Sequence, residues 1–160
     1  MSEQGPTNGS TGAMTFTRRP TSLPPDIRPE WRVPLLLLLT SHCRGRLASR
    51  EQLHVLNSAI LNDGSRRALL ATLDGRIAPQ TPIVQFEPAL DRAIDRCVGL
   101  GLLEYMASGR LKVSDLGASV VQALDADADL FTRERELLEQ LPKNLTQTAI
   151  RNALAQRRSS

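Results

Sequence analysis

The chain has 160 residues, 41% of them hydrophobic, and a formal net charge of +3. That length can bury a core without disulfides, and two cysteines, Cys43 and Cys97, exclude a disulfide framework and a four-cysteine metal site. Aromatics at 3% are too few for a base-stacking platform. The longest apolar run, residues 33–39, falls well short of the roughly 20 residues a membrane span needs.

No basic stretch leads into an apolar segment at the start, so no signal peptide is expected. A soluble cytoplasmic protein with small, buried thiols is the expectation. Arginine dominates the cations, with Lys112 and Lys143 the two lysines. Charge is uneven: residues 34–86 carry six basic and three acidic groups, residues 87–128 four and seven.

Residues 1–27 hold Pro6, Pro20, Pro24 and Pro25 among glycine, serine and threonine, which predicts a disordered tail. Structure is expected from Pro29-Glu30-Trp31. The leucine run 35–39 predicts a helix apolar on every face and therefore central to the core, with Pro34 in its first turn. Ser49 and Gln52 have the spacing of a capping box. The helix they open places Leu53, Leu56, Ala59 and Ile60 on one face. Asn62-Asp63-Gly64 breaks it, and a further helix fits residues 65–73. Residues 79–82 read as loop and residues 83–86 as a short extended run.

Pro88 opens an amphipathic helix with Leu90, Ala93, Ile94, Cys97 and Val98 on its apolar stripe, ending at Gly99-Leu100-Gly101. Residues 102–106 and 110–113 then predict a hairpin turning at Ala107-Ser108-Gly109. Ser114 starts a helix reaching about Leu124. Beyond an acidic break at 125–129, two helices are expected over 130–141 and 146–156, separated by Pro142.

Helices followed by a hairpin and a further helix give the winged-helix order, a variant of helix-turn-helix. The fold expected is mainly α: a winged helix over 28–125 with a C-terminal helical extension over 129–157. The helix entering a DNA groove would be the one before the hairpin. Its outer face sets Glu87, Asp91 and Asp95 against Arg92 and Arg96, a poor match for phosphates. Such a face fits a protein partner better than a duplex. Arg92, Arg96, Arg110 and Lys112 are the candidate nucleic-acid contacts under the alternative, a DNA-binding transcriptional regulator dimerising through its last two helices. Leu137, Leu138, Leu141, Ile150 and Leu154 form apolar stripes outside the minimal winged helix. They are the candidate partner-binding or homodimer surface, unless they pack on the leucine helix.

Nothing in the sequence assembles a catalytic, cofactor or metal site. His42, Cys43 and His54 are too few and badly spaced for zinc. Glu87, Asp91 and Asp95 read as a solvated face ion-paired to Arg92 and Arg96 along the helix. Gly99-Leu100-Gly101 lacks the context of a phosphate loop. Asn144-Leu145-Thr146 matches a glycosylation acceptor, but Thr146 as a helix cap explains it. Arg44, Arg46, Arg50, Arg66 and Arg67 make the most basic surface.

Arg28-Pro29-Glu30-Trp31-Arg32, the leucine run 35–39 and Glu51-Gln52-Leu53-His54-Val55-Leu56-Asn57 resemble the middle components of three-component ABC ATPase systems. Those are small winged-helix proteins of bacterial anti-phage defence, related to the Lamassu type. The resemblance covers residues 28–124 and brings no catalytic residues. It implies a non-catalytic adaptor in the bacterial cytoplasm that bridges an SMC-like ATPase and an effector subunit. Any DNA contact would be weak or indirect, with no cofactor and no membrane.

Overall fold

The computed structural model describes residues 29–76, 82–142 and 145–158; the tail expected over 1–27, and Lys143 and Asn144, lie outside the described residues. The chain is mainly helical, with a small antiparallel sheet, and is compatible with a winged-helix-like arrangement.

Helix α1, Pro29–His42, is the centre of the core: Leu35, Leu36, Leu37 and Leu39 are fully buried and Leu38 nearly so. It touches α2, α4, α5 and β3, which is why leucine occupies every face. The helix starts five residues before Pro34, so Pro34 is interior and not in the first turn. Its missing N–H leaves the Glu30 carbonyl without its helical donor, tolerable because Glu30 is exposed.

A 3-10 turn, Arg44–Arg46, follows, with Gly45 at φ 71°. Strand β1, Leu47–Ala48, was missed by pattern reading because two residues carry no alternation. Its existence is set by β3, which it pairs through Leu47↔Lys112 and Ala48↔Leu111.

Helix α2, Arg50–Leu61, opens with the expected capping box: Gln52 N–H donates to Ser49 Oγ at 3.1 Å and Ser49 N–H to Gln52 Oε1 at 2.8 Å. The anticipated break narrows to Asn62 alone. That residue ends α2 and caps α3, Asp63–Leu73, by accepting from Ser65 N–H at 2.9 Å. Residues 83–86, expected as an extended run, join no sheet, and Ile83 sits in a bend. Side chains serve their backbone instead: Gln85 N–H donates to Ser58 Oγ at 2.9 Å, and Ser65 Oγ–H to the Pro82 carbonyl at 2.9 Å.

Helix α4, Pro88–Gly99, leads through a tight turn with Gly101 at φ 74° into the hairpin of β2, Leu103–Tyr105, and β3, Leu111–Val113. The strands pair Leu103↔Val113, Glu104↔Lys112 and Tyr105↔Leu111, and the sheet order is β1-β3-β2. Helix α5, Asp115–Ala126, is capped by Ser114, whose Oγ accepts from Gly117 N–H at 3.0 Å.

Helix α6, Thr132–Glu139, begins two residues later than expected, after Phe131 in the left-handed conformation. Phe131 stacks at 5.8 Å on Trp31 of α1. Helix α7, Gln147–Arg158, completes the chain. The expected resting place for these helices was α1 or another chain. They pack instead on α2 and α3 of this chain.

Candidate functional site

Three carboxylates stand on one face of α4, as their i, i+4 spacing requires. Their partners are not the neighbouring Arg92 and Arg96. Glu87 accepts from Arg32 of α1 at 3.0 Å, and Asp91 from Arg50 of α2 at 2.9 Å; Arg50 also binds Asp95. Arg50 sits at the first position of α2, so the capping box that fixes this helix end also fixes the guanidinium. The same guanidinium donates to the Tyr105 hydroxyl of β2 and lies 5.9 Å from its ring centroid.

His54, four residues along α2, adds a second clamp. Its ring is buried; Nδ1 accepts from Glu87 N–H at 3.4 Å and Nε2 lies 3.0 Å from Asp91 Oδ1. An accepting Nδ1 sets the tautomer, so Nε2–H is the donor to the carboxylate. The hydrogen bond from His54, reinforced by that from Arg50, holds Asp91 below the usual carboxylate range against the opposing effect of burial. Burial alone would weaken Arg50 as a cation, but its hydrogen bonds to Asp95, Tyr105 and Asp91 outweigh that and raise its pKa.

Over the buried histidine lies Phe86, its ring 4.9 Å away and 63% exposed. A connected surface therefore runs Phe86, His54, Asp91, Arg50, Tyr105. The sequence marks Phe86 only as the aromatic of the run 83–86, because a lone aromatic has no periodicity to place it at a surface.

The candidate nucleic-acid contacts divide. Arg92 and Arg96 are exposed on α4 and form no ion pair among the described residues. Lys112 is exposed on β3 opposite Glu104. Arg110 turns away from that face: it donates to the Leu47 carbonyl at 3.1 Å and lines a separate cleft with Arg44. The expected basic surface is likewise split, with Arg50 committed to α4 and Arg66 paired to Asp63 at 2.6 Å, while Arg46 and Arg67 are exposed.

The candidate partner-binding stripes lie inside the chain. Leu137, Leu138, Leu141 and Ile150 are buried in its own core, and Leu154 is half-buried against it. Gln52 helps to dock them, donating to the Leu145 carbonyl at 3.0 Å. Leu130, two residues ahead of α6, is exposed.

Cys43 and Cys97 are free and buried, and burial pushes each thiol up to about 11, so neither is a thiolate at neutral pH. Among the described residues no three His, Cys, Asp or Glu side chains gather where they could hold a metal ion, and no helix is long and apolar enough to cross a membrane. The chain matches no family model, no curated protein and no solved structure.

Proposed function

We infer that this chain is a non-catalytic winged-helix adaptor that docks a protein subunit through the face of α4 and the hairpin. Support for the winged helix comes from element order, with a hairpin directly after α4, and from the sheet order β1-β3-β2. The observation that carries the docking reading is the surface running from Phe86 to Tyr105. Exposed Phe86 and Tyr105 flank carboxylates already ion-paired to Arg50 and hydrogen-bonded by His54. Aromatic residues, methionine and arginine are what protein interfaces concentrate. A partner covering this face meets rings whose positions are already fixed, so it loses little side-chain entropy on binding. Free Arg92 and Arg96 at its margin favour a partner with an acidic surface.

The assembly comes from the family resemblance of residues 28–124: an SMC-like ATPase and an effector subunit that this adaptor bridges in a bacterial anti-phage defence complex. The test is co-purification with an SMC-like ATPase and an effector subunit from the same source. Phe86→Asp with Tyr105→Ala should abolish the complex while leaving the unfolding midpoint near that of the parent, since both side chains are exposed. A complex that survives the double substitution would refute the docking face.

A second reading, a winged-helix DNA-binding regulator, is favoured by Arg92 and Arg96 being exposed and unpaired on α4. Gel-shift titration at physiological salt separates the two. Weak binding without sequence preference is expected of an adaptor. A tight, sequence-dependent complex lost on Arg92→Ala or Arg96→Ala would establish the regulator instead.

A further inference from the structure

A cleft of about 440 Å³ opens between the 3-10 turn after α1, the turn end of the hairpin and the start of α7. Arg44, Leu47, Gln52, Arg110, Leu145 and Thr148 line it, and its lining includes no carboxylate. Neither arginine forms an ion pair among the described residues. Arg110 is nevertheless held in place, donating to the Leu47 carbonyl at 3.1 Å and to Gln52 Oε1 at 3.5 Å. Gln52 is itself 1% exposed and fixed by Ser49 N–H and the Leu145 carbonyl. One glutamine thus closes the capping box of α2, anchors the entry to α7 and orients a guanidinium that has no countercharge.

We propose that this cleft binds the phosphate group of a small phosphorylated ligand. Two guanidinium groups without an acid call for a dianion more than for a single carboxylate. The first turn of α7 adds backbone donors and positive dipole through Gln147 and Thr148 on the same side. The volume exceeds what one phosphate fills, and Leu47 and Leu145 offer an apolar wall to the organic remainder. The cleft shares no residue with the α4 face, so either assignment can fail without the other.

Calorimetric titration of the full chain at fixed ionic strength tests this, with phenyl phosphate and benzoate as probes of equal apolar bulk. Phenyl phosphate should bind saturably and at least about tenfold more tightly than benzoate. Arg44→Gln and Thr148→Asp should each weaken it about tenfold or more. Thr148→Asp keeps the fold, because an acid in a first helical turn is favourable there, yet it places a negative charge in the cleft. Arg110→Gln should abolish binding. The proposal is overturned by absence of saturable binding, by equal affinity for benzoate, or by undiminished affinity in Arg44→Gln and Thr148→Asp. Displacement of phenyl phosphate by duplex DNA would overturn it too, in favour of a backbone-phosphate contact.

Discussion

Gly117→Ala sets two known effects against each other, and their magnitudes decide the sign. Alanine in place of a helical glycine contributes about 0.5–1 kcal/mol of stability. At Gly117, however, an added Cβ would sit 2.2 Å from the Leu102 carbonyl oxygen and 3.0 Å from Val113 Cγ1. The first contact is more than an ångström too short, and a backbone atom cannot rotate aside. Helix α5 would have to withdraw from the start of β2. That strains the Ser114 N–H bond to the Leu102 carbonyl at 3.1 Å and the Ser114 hydroxyl bond to the Gly101 carbonyl. Overpacking costs about 1–3 kcal/mol and each weakened hydrogen bond about 1 kcal/mol. The net expectation is a loss of about 2–4.5 kcal/mol. Gly99→Ala is the internal control: Gly99 ends α4, and a Cβ there meets nothing within 4 Å, so the same substitution should be neutral or stabilising. Urea unfolding of both variants measures the contrast. If Gly117→Ala is as stable as the parent, the close packing of α5 on Leu102 is refuted.

Four further substitutions probe the core and the α4 face. Leu138→Ala and Ile150→Ala should each cost about 2–4 kcal/mol in denaturant unfolding, because both side chains are buried within this chain; unchanged midpoints would return these stripes to an external partner. Asn57 is 1% exposed and its side-chain amide has no hydrogen-bond partner among the described residues, so Asn57→Leu should raise stability by about 1–3 kcal/mol, and a loss would reveal a partner for the amide. Asp91 is held below its ordinary value of 3.8, so its contribution is present above that pH and is lost as pH falls through the lowered value. Asp91→Asn should flatten this acid limb of the stability profile, and a limb that persists would assign it to other carboxylates.

The elements that sequence reading located are those whose signals are local. Ser49 and Gln52 form the capping box because it needs only four consecutive residues. The amphipathic stripe of α4 was legible because its apolar partners recur along one helix, and Leu90, Ala93, Ile94 and Cys97 are indeed its buried residues. Elements fixed by distant partners were not legible. The two residues of β1 become a strand because β3 offers a free edge. The segment 83–86 joins no sheet, and the Ser58 hydroxyl satisfies both the N–H and the carbonyl of Gln85, which a strand would otherwise provide for. The C-terminal leucines announced that they needed cover; which surface supplied it depended on Gln52 and the Leu145 carbonyl, 93 residues apart.

Surface charge is a tertiary quantity in the same sense. Counted along α4, three carboxylates stand against Arg92 and Arg96, and the face reads acidic. Arg32 arrives from α1 and Arg50 from α2, so the assembled face has four guanidinium groups for three carboxylates. Pairing also divides the charges by role. Arg32 and Arg50 are spent internally, where hydrogen bonding keeps Asp91 ionised and Tyr105 in place. Arg92 and Arg96 remain outward and form no ion pair among the described residues. The ion pairs thus make α4 a rigid, nearly neutral platform, and what distinguishes it from the rest of the surface is no longer charge but the exposed rings of Phe86 and Tyr105 at its two ends. Under the docking proposed above, a platform of that kind would recognise shape and apolar area, so loss of those rings, more than loss of any single charge, is expected to uncouple this chain from the proposed partner.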